Sequence, residues 1–216
     1  MVKNKTKSTK KEIIFYGSGS HLKVAAEIAL LNNFKIKGVI SDIKIKKNLF
    51  NISYLGNEDF LKKCNNKNFI FFVAIGENKL REKIFKMIKK KGFKFAKLIH
   101  PTAHISKSAE IKNGTLICAK SILNPKSSVG YNCIINTATL IEHDVNIKNH
   151  CHIAPGAKIG GSTIIGDRSF VGIGSIILDN IKLAKDIIIG AGSIVIRDCL
   201  SKGNYIGRPA RLKKSN

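Results

Sequence analysis

The second half of the chain repeats with a period of six residues. Every sixth residue from Ile105 to Val195 is a branched aliphatic, without interruption. An amphipathic helix repeats its apolar positions every three to four residues and a strand every two, so neither accounts for this spacing. The positions are Ile105, Ile111, Ile117, Leu123, Val129, Ile135, Ile141, Ile147, Ile153, Ile159, Ile165, Val171, Ile177, Leu183, Ile189 and Val195. Such a series predicts a hexapeptide-repeat β-helix, a coil of short stacked strands.

A second register lies two residues before each aliphatic and holds mostly small side chains. Only Val145, Ile181 and Ile187 depart from it. Since side chains two apart on a strand share a face, each strand sends one large and one small group inward. Three such strands close a triangle of about eighteen residues, and strands stacked about 4.8 Å apart then give a prism of about five coils.

The first half of the chain has a different pattern, in which apolar strands alternate with amphipathic helices. Strands are predicted at 13–16, 36–40, 69–75 and 95–99, and helices at 22–31, 58–64 and 78–91, with Ser20 as the N-cap of the first helix. This alternation predicts a small parallel sheet of the Rossmann type. The predicted fold is therefore an α/β Rossmann-like domain at 13–98 followed by an all-β parallel β-helix at 99–206, with a basic tail lacking fixed structure at 1–12 and a C-terminal tail at 207–216.

The formal net charge of +24 does not by itself indicate a nucleic-acid partner. The lysines are spread over the whole chain, and arginine, whose planar fork reads bases, occurs only five times. An aromatic content of 7% leaves few stacking platforms. We therefore expect no nucleic-acid partner, although a positive surface favours phosphate-bearing ligands.

The chain carries no sequence signal for export or membrane insertion. No apolar run approaches the roughly 20 residues needed to span a bilayer, and no signal-peptide core follows the basic N-terminus. The five cysteines form no CxxC pair, and Cys133 and Cys151 fall in the small inward register. We expect reduced thiols and a cytoplasmic protein without stable membrane insertion.

The segment around His143 is the strongest catalytic candidate. His143 follows an inward aliphatic by two positions, so its ring should lie outside the core at a corner of the coil, where an imidazole can accept a proton near neutral pH. Asp144 could orient the ring and stabilise its charged form. Gly161, eighteen residues later at the same corner, should expose a backbone N–H, and His152 should also face outward.

A second candidate site follows the first strand. The turn Gly17-Ser18-Gly19 between a strand and a helix can present N–H groups to a phosphate. It fails as a dinucleotide fingerprint, because Leu22 occupies the third glycine position, so a mononucleotide or nucleotide-sugar fits better than NAD. Asp42 and Gly76 end two neighbouring strands and should lie at the same carboxyl edge, where ligands of such sheets bind.

These residues resemble a known family over nearly the full length of the chain. The chain is similar to the bacterial sugar O/N-acetyltransferases that join a small Rossmann-like domain to a left-handed β-helix, such as the sialic acid O-acetyltransferases and the N-acetyltransferases of nucleotide-linked 4-amino-4,6-dideoxy sugars. The resemblance is carried by the segments at 15–21, 73–76, 136–144, 151–157 and 206–210.

The resemblance implies a left-handed coil and a homotrimer with acetyl-CoA in the groove between neighbouring prisms. In it, His143 matches the general base and Asp144 a residue that raises the proton affinity of that base. Further matches are to cofactor contacts at His152, Gly161, Ile173 and Ala191, to polar residues beside the base at Asn136 and Glu142, and to the nucleotide-sugar site at Gly17, Ser18, Gly19, Asp42 and Gly76.

The predicted function is acetyl-CoA-dependent N-acetylation of the 4-amino group of a nucleotide-linked amino-dideoxy sugar, of the UDP-4-amino-4,6-dideoxy-N-acetylglucosamine type, for surface glycan or glycoprotein synthesis. Acetylation of a sialic acid hydroxyl and N-acetylation of GDP-perosamine remain open alternatives. A zinc hydratase of the γ-carbonic-anhydrase type would need three histidines in an intersubunit site, which the spacing fits poorly, so we expect no metal. A non-catalytic nucleotide-sugar-binding protein is a further alternative, against which the His143 corner argues.

Overall fold

The computed structural model describes residues 11–43, 50–64 and 69–213. It confirms the predicted fold class, an α/β Rossmann-like domain followed by a parallel β-helix. The predicted N-terminal tail, except for its last two residues, and the end of the predicted C-terminal tail lie outside the described residues. Within the described ranges, no helix is long and apolar enough to cross a membrane.

The N-terminal domain is a five-stranded parallel sheet with helices on its two sides. Its elements are β1 (Glu12–Tyr16), α1 (Ser20–Leu31), β2 (Lys35–Ile40), β3 (Tyr54–Gly56), α2 (Asp59–Lys63), β4 (Ile70–Val73), α3 (Asn78–Lys90) and β5 (Lys94–Phe95), and the strand order is β3-β2-β1-β4-β5. Alternate residues of the central β1 pack on opposite sides, Phe15 into the cluster under α1 and Ile14 into the cluster under α3. Burial on both faces explains its continuous apolar sequence.

The boundaries of several elements differ from the predictions. The predicted strand at 95–99 is split, because Lys94–Phe95 joins the N-terminal sheet whereas Leu98–Ile99 pairs with the β-helix. The N-cap of α1 is Gly19, not Ser20, and it offers no side-chain cap. The predicted C-terminal tail contains the strand Ala210–Leu212, which pairs antiparallel with Gly203–Gly207. The short strand β3 was not predicted, since three half-buried residues leave no periodic signal.

The β-helix has three faces, which we number in the order in which each coil visits them. The first face contains Leu98–Ile99, Leu116–Ile117, Ile134–Ile135, His152–Ile153, Phe170–Val171, Ile187–Ile189, Gly203–Gly207 and Ala210–Leu212. The second contains His104–Ile105, Ile122–Leu123, Leu140–Ile141, Lys158–Ile159, Ile176–Ile177 and Ile194–Val195. The third contains Glu110–Ile111, Ser128–Val129, Asn146–Ile147, Ile164–Ile165 and Lys182–Leu183.

Three edges join these faces, and residues eighteen apart stack along each edge. The first edge, between the first and second faces, includes 136–138, 154–156, 172–174 and 190–192. The second edge, between the second and third faces, includes 124–126, 142–144, 160–162 and 178–180. The third edge, between the third and first faces, includes 130–132, 148–150, 166–168 and 184–186. Each turn has one residue with positive φ, such as Asp144 (φ 59) and Ser162 (φ 58) at equivalent positions of the second edge.

The interior of the prism follows the two registers read from the sequence. The aliphatics from Ile117 to Val195 are at most 1% exposed, whereas Ile105 and Ile111, in the first coil, are half-buried. Most buried hydroxyls of the small register donate to carbonyls fifteen residues on, as from Thr115 to Gly130 at 2.8 Å, and Ser127 and Thr139 donate to carbonyls three residues earlier. These bonds satisfy groups that would otherwise be costly to bury. All five cysteines are free thiols.

The N-terminal domain docks on the start of the first face. Leu116 and Ile134 point out of the coil but belong to the same buried cluster as α1. The side chain of Asn32, the C-cap of α1, adds two hydrogen bonds to the backbone of Ile99 at this contact. Its amide donates to the carbonyl of Ile99 at 2.8 Å and its oxygen accepts the Ile99 N–H at 3.0 Å.

A buried arginine on α3 ties the two domains together. The guanidinium of Arg81 is 1% exposed and donates to backbone carbonyls of both domains, among them Gly76 (2.8 Å), Asn132 (2.9 Å) and His150 (2.9 Å). It also donates to the side chain of Asn78 at 2.7 Å, and that amide donates to Arg168 O at 2.8 Å. Burial lowers the pKa of Arg81 to about 10, which leaves it charged at neutral pH.

We expect Arg81→Met to destabilise the protein by at least about 3 kcal/mol, because it removes a charged donor and leaves several buried carbonyls unpaired. Urea unfolding measures the loss. Lys83→Met, an exposed substitution on the same helix, is the matched control and should change stability by less than about 0.5 kcal/mol. Equal stabilities of the two variants would contradict the proposed role of Arg81 in holding the domains together.

Candidate active site

The imidazole of His143 stands on the second edge of the prism and is open to solvent. Its side chain is 61% exposed, and Nδ1 lies 2.9 Å from Asp144 Oδ2. A carboxylate at this distance favours the tautomer with the proton on Nδ1, so that Nε2 is left to accept a proton. Asp144 occupies the turn position with positive φ, and its carboxylate lies against the ring of the preceding residue, His143.

Three carboxylates surround this imidazole in a strongly basic protein. The hydrogen bond that His143 donates to Asp144 is the main cause that raises the pKa of His143 above 6.5, and the charges of Asp144, Glu142 and Asp179 add to it. Glu142 is held by the Asn124 amide, one coil earlier, at 2.9 Å. A base with a raised pKa keeps a proton more firmly once it has taken one.

Gly161 lies directly beneath the ring of His143. A Cβ atom at Gly161 would be 2.8 Å from Cε1 and 2.9 Å from Nε2 of the imidazole, so only glycine leaves room for this ring position. The prediction that Gly161 and His143 share a corner is therefore met. The prediction of an exposed N–H at Gly161 is wrong, because this group donates to Asp179 Oδ1 at 2.6 Å.

His152 points out of the coil as predicted, but it is not exposed to solvent. It lies on the first face, where the N-terminal domain leaves it only 7% exposed, and its ring meets those of His21 and Phe170 edge to face at 5.3 and 5.1 Å. Burial lowers its pKa to about 3, so it is neutral at physiological pH. Its Nε2 is 3.2 Å from the amide of Asn136.

Some of the predicted site residues are not adjacent to His143 within one chain. Asn136, expected beside the base, lies on the first edge and contacts His152 instead. Ile173, 61% exposed, and Ala191, also exposed, stand on the same first edge, one coil apart. The base and the predicted cofactor contacts Ile173 and Ala191 therefore occupy opposite borders of the second face. Only Asp144, Glu142 and Gly161 of the predicted residues join His143 on its edge.

The predicted nucleotide-sugar residues gather at the carboxyl edge of the N-terminal sheet. Gly17 has φ +107, and a Cβ there would be 2.7 Å from the Ile75 side chain, so the first turn can pass the end of β4 only with glycine. Ser18 Oγ lies 2.7 Å from Ser41 Oγ at the end of β2. Gly19 caps α1 without a side-chain partner for its first N–H groups, and this leaves them available to an anion.

The remaining two residues of this set border the same turn. Asp42 is exposed after β2, with its carboxylate 3.5 Å from the Tyr16 hydroxyl. Burial, followed by the Asp42 charge, raises the pKa of Tyr16 to about 12. Gly76 lies under the ring of His21, where a Cβ would come within 2.7 Å of the imidazole. His21 therefore links the first turn of α1 to Gly76 and, through its ring contact, to His152.

A cavity of about 490 Å³ opens beside this junction. Gly76 and His152 line one part of it, and Phe170 and Ile188 of the first face line another. Lys79 at the start of α3 and Lys202 before the C-terminal strand place two ammonium groups among its lining residues. Glu77 caps α3 by accepting its Lys79 and Leu80 N–H groups, so the end of this helix is not free for a ligand.

Several residues that shape this site were not predicted from the sequence. Arg81 could have been suspected, since it precedes Ile84 and Ile88 on the buried stripe of α3, where a charged residue is unusual. Asp179 follows Gly161 by eighteen residues and so belongs to the same column as His143. No local signal marks His21 or Phe170 as partners of His152, because they contact it only once the domains dock.

The described residues contain no group of three or more His, Cys, Asp or Glu side chains arranged to hold a metal ion.

Comparison with known proteins agrees with this architecture. Residues 12–88 match the family described as the PglD N-terminal domain. The chain is 27% identical over 153 residues to the GDP-perosamine N-acetyltransferase of Escherichia coli O157:H7, a match that covers 71% of this chain and 68% of the relative.

Two solved structures are similar over almost the whole chain. A histidine-to-asparagine variant of perosamine N-acetyltransferase from Caulobacter crescentus, in complex with CoA and GDP-perosamine, superposes with a TM-score of 0.91 at 28% identity and covers 94% of this chain and 97% of its own. The acetyltransferase domain of PglB from Neisseria gonorrhoeae FA1090, in complex with acetyl coenzyme A, has a TM-score of 0.88 at 29% identity and covers 94% and 100%. These similarities support an acetyl-CoA-dependent bacterial sugar N-acetyltransferase of the hexapeptide-repeat family.

Proposed function

We propose that the protein transfers the acetyl group of acetyl-CoA to the 4-amino group of a nucleotide-linked amino-dideoxy sugar, for the synthesis of a surface glycan or glycoprotein. The observation that carries the proposal is the His143–Asp144 pair at 2.9 Å, whose Nε2 faces solvent over a glycine. Within the described chain no hydrogen bond occupies that nitrogen, so it is free to meet a substrate amine.

The nucleotide is placed at the carboxyl edge of the N-terminal sheet. The uncapped first turn of α1 and the Gly17-Ser18-Gly19 turn offer N–H donors to its phosphates. Asp42 is positioned to accept hydrogen bonds from a ribose or sugar hydroxyl. From there the sugar reaches past His21 and Gly76 toward His152, which contacts the acetyl end of the cofactor in this proposal.

The reaction is direct transfer in a ternary complex. The 4-amino nitrogen attacks the thioester carbonyl, and His143 Nε2 takes the proton that the nitrogen loses. The tetrahedral intermediate then expels the CoA sulfur as the C–S bond breaks, and the imidazolium returns the proton to that sulfur. Asp144 stabilises the imidazolium between these two steps.

We propose that the site is complete only when two prisms meet, in the homotrimer that the family resemblance implies. His143 lies on the second edge, whereas Asn136, Ile173 and Ala191 lie on the first. The second face, which separates these edges, turns Ile122, Leu140, Ile176 and Ile194 outward, together with the polar His104 and Lys158. The third face instead turns out Glu110, Ser128, Asn146 and Lys182, with Ile164 as its one aliphatic. An apolar face between two half-sites favours self-association there.

The UDP-linked sugar is the substrate predicted from the sequence, and a GDP-linked sugar is a second candidate. The second candidate is favoured by the similarity to two perosamine N-acetyltransferases. Offering UDP- and GDP-linked 4-amino-4,6-dideoxy sugars with acetyl-CoA, and following the release of thiol, distinguishes them by kcat/KM. Sialic acid and its CMP ester serve as hydroxyl acceptors in the same assay. Turnover of a hydroxyl acceptor alone would refute the proposal.

We expect His143→Ala to lower kcat at least about a hundredfold, because a placed general base typically contributes 10²–10⁴-fold. The thiol-release assay gives kcat, and light scattering verifies that the assembly is unchanged. His100→Ala, a histidine of the first coil outside the proposed site, is the control and should keep normal turnover. Near-normal activity of His143→Ala would show that another group takes the proton.

We expect the acid limb of the kcat/KM profile to lie above pH 6.5. The base acts in its neutral form, so activity falls as pH decreases through the pKa of His143 in the folded protein, which Asp144 raises. Asp144→Asn should move this limb to lower pH, while Asp198→Asn, remote from the ring, should not. If the acid limb of Asp144→Asn stays at the same pH, the limb does not report the titration of His143.

We expect Ile176→Glu to dissociate the assembly and lower transferase activity at least about tenfold, because it buries an unpaired charge in the proposed interface. Ile164→Glu is the matched control, since both isoleucines are 36% exposed outward residues but Ile164 lies on the third face. Light scattering gives the mass of each variant. If Ile176→Glu keeps the mass and activity of the parent protein, the second face is not the interface.

A further inference from the structure

Asp179 lies on the second edge and is connected to the proposed base through Gly161. The column of this edge contains His143, then Gly161 one coil later and Asp179 one coil after that. The carboxylate of Asp179 reaches back and accepts the Gly161 N–H at 2.6 Å. On the other side of the same glycine lies the imidazole of His143, close enough that a Cβ would collide with it.

The same backbone contact occurs elsewhere in the coil without a catalytic group nearby. At the third edge, Asp167 Oδ1 accepts the Asn149 N–H at 2.7 Å, and Asn149 Oδ1 accepts the Tyr131 N–H at 2.9 Å. In each pair the acceptor follows the donor by eighteen residues. The contact therefore connects successive turns in several places. Asp179 differs from the other acceptors because the turn that it contacts, at Gly161, supports the ring of His143.

The contact changes which donors are available to the reaction. A backbone N–H shared with a carboxylate at 2.6 Å cannot also be a free oxyanion donor, and a second negative charge close to it would repel an oxyanion. The same carboxylate is favourable to a cation on the imidazole. The charged groups that act on His143 from its own edge are Asp144, Glu142 and Asp179, and all three are acidic.

We propose that Asp179 is a positioning residue for the base: it fixes the Gly161 turn on which the His143 ring rests, its charge favours the imidazolium that forms during transfer, and the Gly161 N–H does not stabilise the oxyanion. This inference rests on the proposed acetyl transfer for its kinetic consequence, but not for its effect on the protonation of His143. The oxyanion is then stabilised by groups other than the Gly161 N–H.

Two substitutions separate the hydrogen bond from the charge. Asp179→Asn keeps an oxygen that can accept the Gly161 N–H but removes the charge, whereas Asp179→Ala removes both. Asp167→Asn is the matched control, because it changes the same kind of contact on another edge. The wild-type protein and the three variants are compared by NMR titration of the His143 Cε1–H signal and by kcat and KM for both substrates across pH.

We expect Asp179→Asn to lower the pKa of His143 by roughly half a unit, with the acid limb of kcat/KM moving by the same amount. Asp179→Ala should show this shift and also lower kcat roughly tenfold, because the glycine turn under the ring is released. KM for acetyl-CoA should stay within about twofold in both, since the Gly161 N–H makes no contact with the thioester in this proposal. Asp167→Asn should leave the titration of His143 unchanged.

Two results would overturn the inference. A higher kcat for Asp179→Ala would mean that the freed N–H serves as an oxyanion donor, and an unchanged His143 titration in Asp179→Asn would remove the electrostatic part. The NMR titration needs no substrate, so it decides the second point even if no nucleotide-sugar is acetylated. Failure of the proposed function would instead be seen as absence of turnover in the wild-type protein.

Discussion

The stacking of one large and one small inward residue per strand is the constraint on which the rest of this structure depends. The backbone ladder joins residues that are eighteen positions apart. The neighbours of a side chain on an edge are therefore determined by the stacking of the core rather than by the adjacent sequence. The ring of His143 lies over Gly161 for this reason, and Gly161 is in turn held by Asp179. The position of the proposed base along its edge is thus set by the apolar packing inside the coil.

The second constraint is the polar junction between the domains. Arg81 donates to carbonyls of the N-terminal sheet edge and of the third edge of the coil, and His152 lies close by, neutral and covered. The proposed nucleotide-binding turn is linked to the coil through the rings of His21 and His152. These polar and ring contacts, together with the apolar packing of Leu116 and Ile134 against α1, therefore fix the orientation of the proposed acceptor site relative to the prism.

The six-residue repeat is enough to predict the prism, the outward position of His143 and its pairing with Gly161, because each of these depends only on counting residues along the chain. The same counting separates Asn136, one residue after an inward aliphatic on the first face, from His143, two residues after one on the second face. The burial of His152 could not be read in this way, since it depends on the docking of α1 and α3. The acceptors of Arg81 lie up to seventy residues away, and no local pattern reports them.

The stacking of residues eighteen apart along each edge also limits which insertions and deletions such a chain can accept. An insertion of one residue between His143 and Asp179 must be pushed out of an edge as a loop, because otherwise every later strand would turn its polar side into the core. Removing a whole coil would preserve the interior but bring the C-terminal strand Gly203–Gly207 one layer closer to the reactive edge. The number of layers on either side of His143 can therefore change only in whole coils, while the turns can accept inserted loops.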